Sequence, residues 1–377
     1  MTIFLDSNSV VCRLLTSLVH SGSHINTNPF VETTLSYVLT YISRIAHRRP
    51  SHSIQPARLT ILADNDYYST PPTGTSRFGS FAIPLTSAHK TGLGSSAALV
   101  TSLTAALLTH YLPESAFSLA TAEGRTTLHN LAQAAHCAAQ GKVGSGFDVA
   151  AAVYGGCLYR RFSPAVLASV GEAGGQGFAE RLESVVSGTA GDQSKWDVEI
   201  DADGISLPPG IAVRMCDVDC GSQTVGMVKG VLAWRQKQAE SAKDLWDELQ
   251  RRNEALGNVL RDGRTEDIRP AVKAIRELVR KMGTESGVPI EPESQTELLD
   301  ALEGVDGVYA GVVPGAGGFD ALALLVKDDE QTASRIDDFL AHWSEEKGAR
   351  VKLLPVKGEM EGARIEKLDI YQGWLGS

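Results

Sequence analysis

The chain has 377 residues, 43% hydrophobic and 21% charged, ordinary for a soluble globular protein and long enough for two domains. A net charge of −10 excludes a general nucleic-acid binder, which needs a basic face to meet phosphates. The five cysteines (Cys12, Cys137, Cys157, Cys216 and Cys220) are odd in number and scattered, which fits reduced thiols in the cytoplasm better than a disulfide framework.

The opening MTIFLDSNSVVCRLLTSLVH has no basic leader and carries Asp6 and Arg13 inside its apolar pattern, so it reads as neither signal peptide nor membrane span. Residues 28–49 predict an amphipathic helix, capped by Asn28 with Pro29 in the first turn. Residues 57–64 predict a strand, followed by a polar stretch to Arg77 and another strand-like run over 78–85. A small-residue helix follows the glycines at 92 and 94. A further helix over 124–140 stops at Gly141, and a short alanine-rich helix follows a glycine turn within 141–156. CLYRRF (157–162) predicts a strand, and GEAGGQG (171–177) a mobile loop. Residues 210–219 predict a buried strand, with a long helix from 222 to 249 that Ser222 or Thr224 can cap. Residues 262–300 are charged and helical. A strand, glycine loop and strand fill 307–329, before a polar helix (329–346) and a last strand (350–356). There is no internal repeat. The pattern predicts an α+β chain with one boundary near residue 220.

Three glycine loops stand out: Gly92-Leu93-Gly94-Ser95-Ser96, Gly144-Ser145-Gly146-Phe147-Asp148 and Gly315-Ala316-Gly317-Gly318-Phe319-Asp320. Glycine lets a backbone approach a ligand closely, and a helix start behind it turns N–H groups toward an anion. One helix end contributes only about 0.3–1 kcal/mol to an adjacent charge. A polyphosphate therefore also needs cations, namely Mg²⁺ and a lysine such as Lys90. A Walker P-loop is excluded because no GxxxxGK[ST] occurs. A dinucleotide reading of Gly92-x-Gly94-x-x-Ala97 is weak, since TSAHKT before it is not a buried strand. Cys216 and Cys220 have a loosely metal-like spacing, but no second Cys/His pair follows them.

HKTGLGSSAA resembles the second motif of the GHMP kinases, and GVVPGAGGFDA their third. Within that superfamily, AHCAAQGKVGSGFDVAAAVYGG, DVDCGSQTVGMVK and DNDYYS together resemble the phosphomevalonate kinases of the fungal type. The resemblance implies an N-terminal domain (1–220) of mixed sheet and helices, and a ferredoxin-like α/β C-terminal domain (221–377), with the site in the cleft between them. It implies transfer of the ATP γ-phosphoryl to 5-phosphomevalonate with Mg²⁺, in the mevalonate route to isoprenoids and sterols, without nucleic acid or membrane. Gly92, Leu93, Gly94, Ser95, Ser96 and Ala97 would cradle the ATP phosphates, with Ser96 as metal ligand. Lys90 and Asp148 would be catalytic. Lys142, Ser145, Gly146, Ser222, Thr224, Gly315, Gly317 and Gly318 would hold the substrate.

Each residue also has a plainer reading. Asp148 could only cap a helix, Lys90 and Lys142 could be solvated, Ser222 and Thr224 are caps in either case, and Asp320 could close a turn. His89 and His136 read as structural or solvent-facing. The chain also departs from the family pattern: residues 1–27 hold no lysine, and the family's first motif is not recognisable. A chain without its opening strands is expected to leave a sheet edge unpaired. Three readings stay open: an active kinase, an inactive ligand-binding remnant, and a dinucleotide-dependent oxidoreductase. Neither monomer nor small oligomer is favoured.

Overall fold

The computed structural model describes residues 2–6, 28–47, 57–69, 77–79, 90–189, 191, 195–202, 205–218, 224–358, 360–371 and 373–374. The chain forms two compact units. Unit 1 takes residues 1–64, 94–203 and 359–377, and unit 2 takes 65–93 and 204–358. In place of one boundary near 220, the chain exchanges segments: 65–93 join the C-terminal half, and the last residues return to the first unit.

Unit 1 is mainly helical. Its strands are β1 (Thr2–Asp6), which pairs antiparallel with β2 (Arg58–Leu62) over five residues, and β3 (Leu158–Arg160), which pairs with β4 (Glu199–Asp201). The helices are α1 (Pro29–His47), α2 (Ser95–Tyr111), α3 (Ala122–Gln140), α4 (Phe147–Tyr154), α5 (Ala165–Ala168) and α6 (Phe178–Val186). β1, β4, α5 and α6 have no counterpart in the elements expected from sequence; β1 lies along all of β2. Asn28 Oδ1 accepts the Phe30 N–H at 3.1 Å and caps α1 as expected. α2 is buried around its circumference, with Ala97, Leu99, Val100, Leu103, Leu107 and Leu108 all covered. A helix apolar on every side must sit inside a core, and α1, α3, α4 and β1 pack around it. Val38, Ile42, Leu103, Leu128, Leu131 and Leu182 are fully buried there, each stabilising the unit by about 1.5–3 kcal/mol. The GEAGGQG loop is tied down by Arg181, which donates to the Val170 and Gln176 carbonyls at 3.2 and 2.8 Å.

Unit 2 is a helix-covered sheet. In chain order it holds β5 (Ile211–Val218), α7 (Thr224–Lys237), α8 (Ala239–Arg261), α9 (Ile268–Ser286), α10 (Glu293–Leu302), β6 (Val308–Val312), β7 (Ala321–Lys327), α11 (Glu330–Lys347) and β8 (Val351–Lys357). The strand order is β6-β7-β5-β8 with every neighbouring pair antiparallel. Two strand–helix–strand halves joined by the β6–β7 hairpin make the ferredoxin-like split βαβ arrangement that the family resemblance implies. Cys216, Leu322, Leu324, Leu299, Ile336 and Leu340 form its core.

The long helix expected from residue 222 is broken at Gln238 (φ −120°, ψ 51°) into α7 and α8. In one straight helix Trp234 and Trp246 would stand about 18 Å apart along the axis. The break folds them together, ring centroids 5.7 Å apart, in a cluster with Ala242, Leu245 and Met282.

Candidate phosphate-binding site

In unit 1 two helix mouths face a common group of side chains. Gly94 is the N-cap of α2 (φ 70°) and Gly146 that of α4 (φ 84°). Neither end has a side-chain cap, whereas Thr121 caps α3 and Asp329 caps α11. Ser95, Ser96 and Ala97 form the first turn of α2; Ser95 and Ala97 are buried and Ser96 is half-buried. Asp148 is the second residue of α4, not its cap. Its Oδ1 accepts the Val149 N–H at 3.0 Å, and 26% of its side chain is exposed. A Cβ on Gly94 would lie 3.7 Å from the Asp148 Cβ, so the first two glycine motifs meet within this unit.

His136, on α3, joins them. Its Nε2 is 3.1 Å from Ser96 Oγ and 4.0 Å from Asp148 Oδ2. Burial pushes its imidazole below the usual range, Asp148 pulls it back up, and Lys142 adds to the fall. Lys142 itself is exposed.

The Gly144–Gly146 loop is held from one side. Arg161 donates to the Val143 and Gly144 carbonyls (3.2 and 3.1 Å), and the Tyr159 hydroxyl donates to the Ser145 carbonyl (2.8 Å). Burial pushes the Tyr159 phenol upward, so it stays a donor. In a trans peptide the next N–H points opposite to the carbonyl. The N–H groups of Gly144, Ser145 and Gly146 are thus turned away from Tyr159 and Arg161. A Cβ on Gly146 would lie 2.6 Å from Tyr159 Oη and 2.7 Å from Gln133 Oε1, which makes glycine obligatory there. Sequence reading missed Tyr159, Arg161 and Gln133. The available signal was the Tyr159-Arg160-Arg161 run shortly after Gly155-Gly156, while Gln133, within α3, carried none.

In unit 2, Lys90 is exposed and bridges Tyr68. Thr91 is fully buried; its Oγ1 donates to the Asp66 carbonyl (2.7 Å) and its N–H to the Tyr67 carbonyl (3.2 Å), so DNDYYS anchors the approach to the first loop. Gly92 (φ 75°) and Leu93 follow, and a Cβ on Gly92 would meet the Ala321 Cβ at 3.7 Å. Ser69 donates to Asp217 Oδ1 at 2.9 Å, tying the same segment to β5.

The third loop has Gly315, Gly317 and Gly318 at φ 68°, 83° and 108°. The Gly318 N–H donates to the Ile290 carbonyl at 2.8 Å, which a Cβ on Gly317 would strike at 2.3 Å. Gln295 Nε2 donates to the Phe319 carbonyl at 2.6 Å. Asp320 Oδ1 is buried with no hydrogen-bond partner among the described residues, while its backbone carbonyl takes the Val218 N–H at 2.7 Å. Thr224 opens α7, but its side chain, like Ser222, His89 and the strand expected over 80–85, lies outside the described residues.

Magnesium takes hard oxygen donors and binds proteins through one or two carboxylates plus substrate phosphates. The Asp148 carboxylate and Ser96 hydroxyl, both within 4.0 Å of one His136 nitrogen, fit that demand. No cluster of three His, Cys, Asp or Glu side chains suited to a metal occurs among the described residues. No helix among them is long and apolar enough to cross a membrane.

Comparison with known proteins agrees with this geometry. The family model for the GHMP kinases N terminal domain matches residues 79–156, which include the first two glycine loops. The phosphomevalonate kinase of Gibberella zeae is 63% identical over 357 residues, covering 94% of this chain and 80% of that protein. That of Aspergillus fumigatus is 48% identical over 92% of this chain and 75% of its own length. The peroxisomal phosphomevalonate kinase of Arabidopsis thaliana is 34% identical, with 81% and 74% covered. Among solved structures, a Lin0012 protein from Listeria innocua shares the fold, with a TM-score of 0.63 at 20% identity over 90% of this chain and 81% of that one.

Proposed function

The chain belongs to the phosphomevalonate kinase family, and from that premise we infer that it transfers the ATP γ-phosphoryl to (R)-5-phosphomevalonate, giving 5-diphosphomevalonate and ADP. The observation that carries this is the 63% identity across 94% of the chain to a phosphomevalonate kinase. The dinucleotide and inactive-remnant readings have no support in it.

Phosphoryl transfer asks for positioning and charge neutralisation more than for covalent chemistry. The α2 N-terminus and the Ser95 and Ser96 hydroxyls bind and orient the ATP phosphates. Lys90 offsets charge on the transferred group. The N–H groups of Gly144, Ser145 and Gly146, turned away from Tyr159 and Arg161, hold the acceptor phosphate with Lys142. The family resemblance adds Gly315, Gly317 and Gly318 of the third loop, with Ser222 and Thr224, to the residues that hold the substrate. The acceptor oxygen is already anionic at neutral pH, so Asp148 positions and needs to remove no proton. Ser96 and Asp148 would hold Mg²⁺, which when bound neutralises phosphate charge. The scattered cysteines support a cytoplasmic location, which a fluorescent fusion viewed against organelle markers tests.

The test is ADP release from ATP and Mg²⁺ with 5-phosphomevalonate, mevalonate or no acceptor. Turnover with 5-phosphomevalonate alone is expected; equal turnover with mevalonate overturns the substrate assignment. Asp148→Asn and Lys90→Ala are each expected to lower kcat about 100-fold or more, the loss typical of a preorganised electrostatic contact.

A further inference from the structure

His136 has no part in the chemistry above, yet its Nε2 lies within 4.0 Å of both groups assigned to the metal. It is 2% exposed. Phe30 packs on its ring at 5.6 Å between centroids. Gln140 Nε2 lies 3.0 and 3.3 Å from the two ring nitrogens, so the amide caps the ring without claiming one nitrogen. The ring therefore has little room to turn, and its Nε2 is presented to Ser96 Oγ at 3.1 Å. Asp148 Oδ2 stands on the same nitrogen at 4.0 Å, beyond hydrogen-bond reach.

We propose that His136 is a positioning residue for the phosphate site: its Nε2 fixes the Ser96 hydroxyl at the mouth of α2 and keeps it apart from the Asp148 carboxylate. A serine hydroxyl has one proton and two lone pairs. If it donates to Nε2, both lone pairs remain for a cation; if it accepts from Nε2–H, one lone pair remains and the proton can reach a phosphate oxygen. In both tautomers Ser96 keeps an acceptor for the metal. Without His136 the Ser96 hydroxyl loses the partner 3.1 Å away and can turn toward Asp148, whose Oδ2 lies 4.0 Å from the same nitrogen. A serine–aspartate bond would occupy both proposed ligands at once. Residues behind a metal's ligands typically change its affinity 10- to 100-fold when removed.

This inference rests on the assignment of Ser96 and Asp148 to the metal and phosphates. The test uses the full chain and the variants His136→Leu, His136→Gln, Ser96→Ala and the double variant His136→Leu/Ser96→Ala. Binding of a fluorescent ATP analogue is titrated with MgCl₂, and KM is measured separately for ATP and for 5-phosphomevalonate. His136→Leu is expected to raise the Mg²⁺ half-saturation about tenfold, while KM for 5-phosphomevalonate changes less than about twofold. His136→Gln, whose amide reaches the Nε2 position, is expected to recover most of the loss. In the Ser96→Ala background, His136→Leu is expected to change nothing further. An unchanged Mg²⁺ dependence in both single His136 variants overturns the proposal. So does an additive loss in the double variant. Should His136→Leu fail to fold, His136→Asn, whose shorter amide does not reach the Nε2 position, replaces it in the single and double variants with the same expected and overturning results. Wild-type protein that binds nucleotide with the expected Mg²⁺ pattern but does not phosphorylate 5-phosphomevalonate would sink the proposed substrate and leave this inference standing.

Discussion

The Gly144–Gly146 loop of unit 1 is held by side chains that reach its carbonyls: Arg161 and the Tyr159 hydroxyl. The Gly315–Gly318 loop of unit 2 is gripped by the Ile290 backbone carbonyl and by the Gln295 amide. The residue after Ile290 is Glu291, whose buried Oε1 accepts from Arg276 (2.8 and 3.1 Å), Arg280 (2.9 Å) and Thr296 (3.0 Å). Arg276 also reaches Asp300 and Glu303. One loop thus depends on side chains alone, and the other also on a backbone carbonyl whose next residue anchors a charged cluster. A loop held through backbone is as rigid as the turn that carries it, so a distant charge can control a site it never touches.

Removing the distant charge should give the largest effect. Arg276→Met leaves Glu291 buried beside a lost partner and is expected to destabilise unit 2 by about 3–5 kcal/mol. Arg276→Met/Glu291→Met should recover much of that in urea unfolding, because a buried pair replaced by apolar groups is often neutral. If the double variant is no better than the single one, the cluster does not act as a charge pair.

Next come the two glycines. Gly146→Ala and Gly317→Ala combine left-handed backbone strain with overpacking and are each expected to cost about 3 kcal/mol. They differ in their rescue. Tyr159→Phe removes the oxygen a Cβ on Gly146 would strike and should soften Gly146→Ala. Ile290→Ala, which removes the Cγ2 that the new Cβ would meet at 2.6 Å, should still soften Gly317→Ala less, because the Ile290 backbone carbonyl stays at 2.3 Å.

Acid sharpens the contrast further. His129 in α3 is buried and its Nε2 has no partner among the described residues; burial lowers its pKa to about 4, against a smaller upward pull from Asn130. Above pH 6.5 it is neutral both folded and unfolded, so it costs nothing. As pH falls from 6.5 to 4 the unfolded chain takes up the proton first, and about 3 kcal/mol of stability is lost over that window. The difference in unfolding free energy between wild type and His129→Gln, followed from pH 7 to 4, should show that loss; a flat difference would count against a buried neutral imidazole. The smallest effect should come at Gly141, where φ is 65° and a Cβ meets nothing within 4 Å: Gly141→Ala is expected to cost about 1 kcal/mol, read as a small drop in Tm.

The glycine loops and the small-residue helix behind Gly94 were legible in the sequence because each follows from local spacing, whereas the ferredoxin-like arrangement of unit 2 came from the family resemblance. Local signals also gave the α1 cap at Asn28 and the stop at Gly141. What was not legible lies far along the chain from what it supports. Arg161 stands 17 residues from Gly144, and Gln295 stands 24 from Phe319. No periodicity joins such pairs. The break at Gln238 was missed for a related reason: α7 and α8 have helical composition throughout, and the stacking of Trp234 on Trp246 decides where the helix folds. His136 read as structural because a lone histidine on a helix carries no pattern. Its contact with Ser96 spans 40 residues.

The exchange of segments between the units bears on synthesis. Gly155 and Gly362 are pressed against opposite strands of chain: a Cβ on Gly155 would strike the Met360 carbonyl at 2.2 Å, and one on Gly362 the Val153 carbonyl at 2.1 Å. Tyr371, in the same returning segment, is buried. A ribosome therefore delivers all of residues 204–358 before the last piece of unit 1. Domains made from one continuous stretch can fold as they emerge. Here the unit begun first is completed last, and its partner has every residue it needs before that happens.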